Sequence, residues 1–317
     1  MNQLDQLRKM TTVVADSGDI EAIKAYQPTD ATTNPSLVLS AAQKEEYQEI
    51  IARSIAEAPH TGSKESRDHQ LINHLFVNFG VELLKTIPGR VSTEVSPTLS
   101  FDTQHTVETA RSLINLYEKK GIPRERVLIK IASTWEGIRA AEVLEMEGIH
   151  CNMTLLFSLV QAANCAEAKV TLISPFVGRV SDWQQQHHPL SPYTPKEDQG
   201  VQLVSAIYNY YKKFDYKTLV MGASFRKKEQ IIALAGCDLL TISPKFLEQL
   251  SQETSLLHRA LSPEQAQTKI FEKILLSESQ FRYQFNQDPM AVEKLSDGIR
   301  TFAKDSHKLL DLLKQFH

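Results

Sequence analysis

Eight short β-branched runs recur along this chain, each followed by a helical stretch, and that rhythm leaves few folds open. The runs lie at 12–15, 31–33, 90–95, 127–131, 151–155, 170–176, 218–223 and 239–242. Between them, stretches such as 107–119, 135–147, 159–168 and 201–213 place apolar residues at the spacing of one helix face. Strand–helix units repeated eight times are the pattern of a (β/α)8 barrel, which takes about 250 residues. We therefore expect an α/β protein: a single-domain TIM barrel over 1–317 with additional helices. Two helical stretches, 37–57 and 69–86, separate the second and third strands, and helical sequence from 262 onward forms a C-terminal extension. The segment 181–200, rich in Gln, His and Pro, is expected to be an irregular loop after the sixth strand, where barrels place substrate loops or lids.

One residue breaks the apolar character of the fourth run, Val127-Leu128-Ile129-Lys130-Ile131-Ala132-Ser133. Lysine is almost never fully buried unless paired, and desolvation disfavours a charged amine. A neutral amine in such a place is a nucleophile for carbonyl carbon. The alternative is that Lys130 ends an edge strand and its stem snorkels to water.

In a barrel of this kind catalytic groups sit at the C-terminal strand ends, and residues two apart share a face. Polar residues recur at those positions. Asp16 follows the first strand, Thr32 and Asn34 close the second, Ser92 and Glu94 the third, Asn152 and Thr154 the fifth, Ser174 and Phe176 the sixth. Singly, Asp16, Asn34 or Ser174 could be a strand-end cap or turn residue. As a set they converge on one mouth that packing alone would fill with Val, Ile and Leu. Gly178-Arg179 after the sixth strand and Gly222-Ala223-Ser224-Phe225-Arg226 after the seventh add two guanidinium forks and a hydroxyl, donors suited to a phosphate monoester. No Walker motif or GxGxxG run is present, so nucleotide binding is unsupported.

Composition excludes several classes. Lys and Arg number 35 against 38 Asp and Glu, for a net charge of −3, and the basic residues are scattered, which suits neither nucleic acid nor an anionic membrane surface. No apolar stretch approaches the roughly 18 residues of a membrane span. Residues 1–12 lack a signal-peptide core, and Cys151, Cys165 and Cys237 form no CxxC pair, so a reducing, cytoplasmic location is expected. The histidines show no ligand spacing; His187-His188 lies in a polar segment, and no metal is expected.

Several blocks together carry a resemblance. Thr12-Val13-Val14-Ala15-Asp16-Ser17-Gly18-Asp19, Asp30-Ala31-Thr32-Thr33-Asn34-Pro35-Ser36, the strand around Lys130 and Cys151-Asn152-Met153-Thr154-Leu155-Leu156-Phe157-Ser158 resemble the signature blocks of transaldolases. So do Ile173-Ser174-Pro175-Phe176-Val177-Gly178-Arg179, Met221-Gly222-Ala223-Ser224-Phe225-Arg226 and Asn286-Gln287-Asp288-Pro289-Met290-Ala291, in the family's order and over essentially the whole chain. The segment 184–196 departs from the family pattern without touching a motif residue. The resemblance implies a metal-free, cofactor-free transferase of the pentose phosphate pathway, a homodimer acting on phosphorylated sugars. It implies that Lys130 forms a Schiff base, that Asp16 moves the donor hydroxyl proton, and that Glu94 and Thr154 hold a proton-shuttling water. Thr32, Asn34, Asn152 and Ser174 would orient donor hydroxyls, Phe176 would wall the site, and Ser224, Arg179 and Arg226 would hold phosphate. Two alternatives stay open: a fructose 6-phosphate aldolase, whose shorter chains carry Gln at the place of Glu94 and Tyr at that of Phe176, and a non-catalytic phosphosugar-binding barrel.

Overall fold

The computed structural model describes residues 1–59, 61–189 and 194–316. Eight strands close into a parallel barrel in sequence order: β1 Thr12–Asp16, β2 Asp30–Thr32, β3 Val91–Glu94, β4 Val127–Ala132, β5 Cys151–Leu156, β6 Leu172–Pro175, β7 Leu219–Gly222 and β8 Leu239–Ile242, with β8 pairing back onto β1. The connecting helices up to the fifth strand are α1 Gln3–Arg8, α2 Ile20–Tyr26, α3 Pro35–Ala42, α4 Gln48–Glu57, α5 Lys64–Leu84, α6 Thr103–Lys119 and α7 Trp135–Met146. Beyond it come α8 Leu159–Glu167, α9 Val177–His187, α10 Gln199–Lys213, α11 Lys228–Ala233, α12 Pro244–Gln252, α13 Pro263–Gln267, α14 Glu278–Asn286 and α15 Pro289–Lys314.

Successive residues of a strand point to opposite faces, and here the two faces have different work. Val13, Ala15, Ile129, Ile131, Ile173, Val220, Leu240 and Ile242 point outward and pack with the helices in the main core. Val14, Leu128, Leu172, Met221 and Leu239 point inward and plug the barrel. No helix among the described residues is long and apolar enough to cross a membrane.

Three expectations need correction. The stretch 37–57 is not one helix: α3 ends at Ala42, Lys44 is extended (φ −88°, ψ 142°), and a 3₁₀ turn precedes α4. The cause is Tyr47, buried where its hydroxyl accepts from Ile20 N (2.9 Å) and donates to Asp19 (3.1 Å), a tertiary tie that a continuous helix could not reach. The segment 181–200 is not irregular throughout, because α9 runs on to His187, with Trp183 and His187 stacked at 4.0 Å. Glutamine is a good helix former, and Val177, Val180 and Gln184 give this helix its buried side. Of that segment, residues 190–193 lie outside the described residues. Finally, the sixth strand stops at Pro175, and Phe176 bridges to Ala223 at the start of α9.

Candidate active site

One step toward the C-terminal end of the barrel from four of the five plug residues, the inward positions turn polar: Asp16 beyond Val14, Lys130 beyond Leu128, Ser174 beyond Leu172, Thr241 beyond Leu239; beyond Met221 stands the small Ala223. The register brings the others alongside. Glu94 is paired across the sheet with Lys130, Lys130 with Asn152, and Asp16 with Thr32. A dry plug beneath a polar ring is the arrangement in which buried charge acts strongly, because nothing below the ring screens it.

Lys130 is 5% exposed, which rules out an amine snorkelling to bulk water. Its Nζ donates to the carbonyl of Thr33 at 3.0 Å and lies 3.1 Å from Glu94 Oε2. Glu94 is 4% exposed; burial raises its carboxyl above the ordinary range, and the Lys130 charge pulls it partly back. Glu94 Oε2 takes no aligned hydrogen bond, and Thr154 Oγ1, fully buried, has no partner among the described residues. Two such buried oxygens are the kind of pair that a water or a substrate hydroxyl satisfies. Asp16, at the rim, is likewise pushed up by burial, opposed by Lys130 and by the Thr32 hydroxyl donating at 3.3 Å.

Asn34 is not the last residue of a strand. It caps α3, its side chain accepting from Leu37 N at 2.9 Å, and from that position it still lines the cavity of Lys130. Asn152 works from below: its amide donates to Ser92 (3.0 Å) and accepts from Ser174 (2.5 Å), which holds Ser174 at the cavity wall. Phe176 packs edge-on against Phe157 at 5.4 Å and forms another wall.

The arginines differ from one another. Arg179 stands on the first turn of α9 and lines the cavity; burial disfavours its charge, Asp297 supports it, and the neighbouring Arg226 opposes it. Arg226 lies further out, held by Asp182 (2.8 Å) with Nη1 donating to Ser224 at 3.3 Å. Ser224 adopts φ 61°, the left-handed region that most side chains avoid, and lines the cavity. The two segments touch through Gly178, whose amide donates to Ser224 O at 2.7 Å; a Cβ there would come within 2.1 Å of that oxygen. Larger cavities, about 460 and 570 Å3, lie along α5 and α6, but they hold none of this ring.

Sequence reasoning missed two residues of the site. Thr241, whose hydroxyl is 2.9 Å from that of Thr32, was discoverable as a lone hydroxyl in Leu239-Leu240-Thr241-Ile242, by the same logic that singled out Lys130. Phe302, on α15, lines the cavity with no local signal beyond the apolar stripe of its helix.

With this geometry in place, the chain can be compared with known proteins. Residues 13–313 match the model of the transaldolase/fructose-6-phosphate aldolase family. The chain is 58% identical over 314 residues to the transaldolase of Homo sapiens, covering 98% of this chain and 93% of that one. It is 55% identical over 317 residues to transaldolase A of Escherichia coli (strain K12), covering 99% of each, and 54% identical over 313 residues to the transaldolase of Protochlamydia amoebophila, covering 99% of this chain and 97% of that one.

Proposed function

The chain belongs to the transaldolase family and is an enzyme of the transferase class, and from that premise we propose that Lys130 is the amine through which it moves a dihydroxyacetone unit. The donor is sedoheptulose 7-phosphate and the acceptor glyceraldehyde 3-phosphate; the products are erythrose 4-phosphate and fructose 6-phosphate. Lys130 adds to the ketose carbonyl, and loss of water leaves a protonated imine. Cleavage of the adjacent carbon–carbon bond sends its electron pair into that imine, giving a neutral enamine instead of an unstabilised carbanion, so no cofactor is needed as electron sink. Asp16 takes the donor hydroxyl proton during cleavage and returns it when the enamine attacks the acceptor aldehyde. Glu94, 3.1 Å from the amine, and Thr154, whose buried hydroxyl has no hydrogen-bond partner among the described residues, carry protons by a shared water as the imine forms. Thr32, Asn34, Asn152 and Ser174 orient donor hydroxyls, and Arg179, Ser224 and Arg226 receive the phosphate.

The observation that carries this reading is a buried amine 3.1 Å from a buried carboxylate at the mouth of the barrel. Borohydride reduction with fructose 6-phosphate, followed by mass spectrometry, tests it: the adduct belongs on Lys130, and labelling of another lysine or of none overturns it. Lys130→Ala should lose on the order of 10⁴-fold in rate while the fold persists. Fructose 6-phosphate with erythrose 4-phosphate should give rapid transfer, and fructose 6-phosphate alone little free dihydroxyacetone; release as fast as transfer would make this chain an aldolase. We also carry from the family a cytoplasmic homodimer, which light scattering on the purified protein checks as to its oligomeric state.

A further inference from the structure

We propose that Phe302, delivered by the C-terminal helix, shields the enamine from water and acid and thereby keeps this chain a transferase. The inference rests on the Schiff-base reading above and extends it to a residue outside the barrel strands. Phe302 is 2% exposed and lines the same cavity as Asp16, Lys130, Thr154 and Ser174. Its ring centroid is 5.8 Å from Lys130 Nζ and 5.3 Å from the Arg179 guanidinium carbon, so the ring stands beside both cations. Attraction of each cation to the ring face favours that position.

The helix that carries the ring is fixed on both sides of it. Four residues before Phe302, Gly298 lies against Leu155, where a Cβ would come within 2.5 Å of Leu155 Cδ2. Leu155 itself has φ 51°, in the stretch where the β5–β6 register shifts. Three residues after Phe302, Asp305 accepts from Ser36 of α3 at 2.6 Å, the helix that Asn34 caps. Around the ring, Phe157, Phe176, Val180 and Leu295 complete an apolar cluster over one side of the mouth. A phenyl group neither gives nor takes a proton. Its placement beside an amine meant for chemistry serves exclusion.

Exclusion decides the outcome because the enamine has two possible electrophiles. With an aldehyde, its carbon forms the new carbon–carbon bond and the unit is transferred. With a proton, the same carbon forms a C–H bond and the nitrogen becomes a protonated imine. Water then adds to the imine carbon, the C–N bond breaks with its electrons going to nitrogen, and free dihydroxyacetone leaves Lys130 as an ammonium. The balance is enamine plus one proton plus one water giving ketone plus lysine ammonium. Removing the ring opens the mouth to both reagents at once.

The test is the ratio of free dihydroxyacetone to transfer product, measured with fructose 6-phosphate and erythrose 4-phosphate for wild type, Phe302→Leu, Phe302→Ala and Phe302→Tyr. The ratio should rise on the order of tenfold in Phe302→Ala, less in Phe302→Leu, and stay near wild type in Phe302→Tyr, which keeps the ring. Because Phe302→Ala removes a buried ring and can cost the fold itself, Phe302→Leu, checked by circular dichroism, decides where Phe302→Ala does not fold. Borohydride trapping on Lys130 should persist in each folded variant. An unchanged ratio in folded Phe302→Leu and Phe302→Ala overturns the shield. No adduct and no transfer in wild type would instead overturn the Schiff-base reading, so the two failures are distinguishable.

Discussion

Replacing Lys130 with methionine should steepen the dependence of the fold's stability on pH through Glu94, and replacing both residues should abolish that dependence. Lys130 and Glu94 lie 3.1 Å apart with side chains 6% and 4% exposed. At that separation their attraction is about 5 kcal/mol for an effective dielectric of about 20. Burying the two charges costs several kcal/mol each, so the pair is close to break-even. With the lysine gone, burial raises the carboxyl further above its ordinary 4.5, opposed only by the more distant charge of Arg179. At pH 7 the unfolded chain carries Glu94 ionised, so folding takes up a proton. Each pH unit over which the folded carboxyl stays protonated while the unfolded one is ionised costs about 1.4 kcal/mol. The folded state binds more protons than the unfolded one, so stability falls as pH rises from about 4.5 toward the raised folded value. Lys130→Met should therefore trail wild type by a margin that is smallest near pH 4.5 and widens toward pH 7, because in wild type the Lys130 charge opposes the upward shift of Glu94 and in the variant it does not. Lys130→Met/Glu94→Gln should lose the pH dependence that Glu94 contributes and be no weaker than the single variant at pH 7, since a neutral pair of similar volume commonly replaces a buried ion pair without loss. Urea midpoints followed by circular dichroism at about pH 5, 6 and 7 give the comparison. A gap that does not widen with pH, or a double variant weaker than the single one at pH 7, would refute the reasoning.

The remaining predictions separate roles within the site. Asp16→Ala should form the imine but cleave it slowly, so the borohydride-trapped donor adduct accumulates, whereas Glu94→Ala should slow imine formation itself; equal accumulation in rapid-quench trapping would mean the roles are misassigned. Arg179→Ala and Arg226→Ala should each lower kcat/KM about 10- to 150-fold for phosphorylated substrates, corresponding to charge-assisted bonds of roughly 1.5–3 kcal/mol, and barely alter turnover of unphosphorylated ketoses. Of the two, Arg179 should matter more, because it lines the cavity while Arg226 is shared with Asp182. Equal losses on plain and phosphorylated sugars would remove the phosphate assignment.

Much of the site was legible because barrel strands impose a period of two. Given the strands, Glu94 and Lys130, or Asn152 and Thr154, could be placed on the inner face without coordinates, and the register then confirms their adjacency. Boundaries were less legible. Asn34 reads as a strand end, yet its amide side chain competes for the free N–H groups of α3 and becomes a cap. Arg179 reads as a residue that follows the sixth strand, with nothing local to show that it already stands in a helix; Gly178 allows the close approach of Ser224 O, and the helix begins before it.

By itself the sequence determined the barrel and the chemistry of its mouth. Alternating β-branched and amphipathic segments leave buried parallel strands as the way to bury both faces, and a lysine among them has to be paired. Tertiary structure decided what lies opposite that lysine. Glu94 as ion-pair partner, Thr33 O as acceptor and Phe302 as the neighbouring ring depend on strand register, on the shifted pairing near Leu155 and on how α15 docks across the mouth. Those contacts join residues far apart in the chain, and local propensity and periodicity carry no information about a distance that only packing sets.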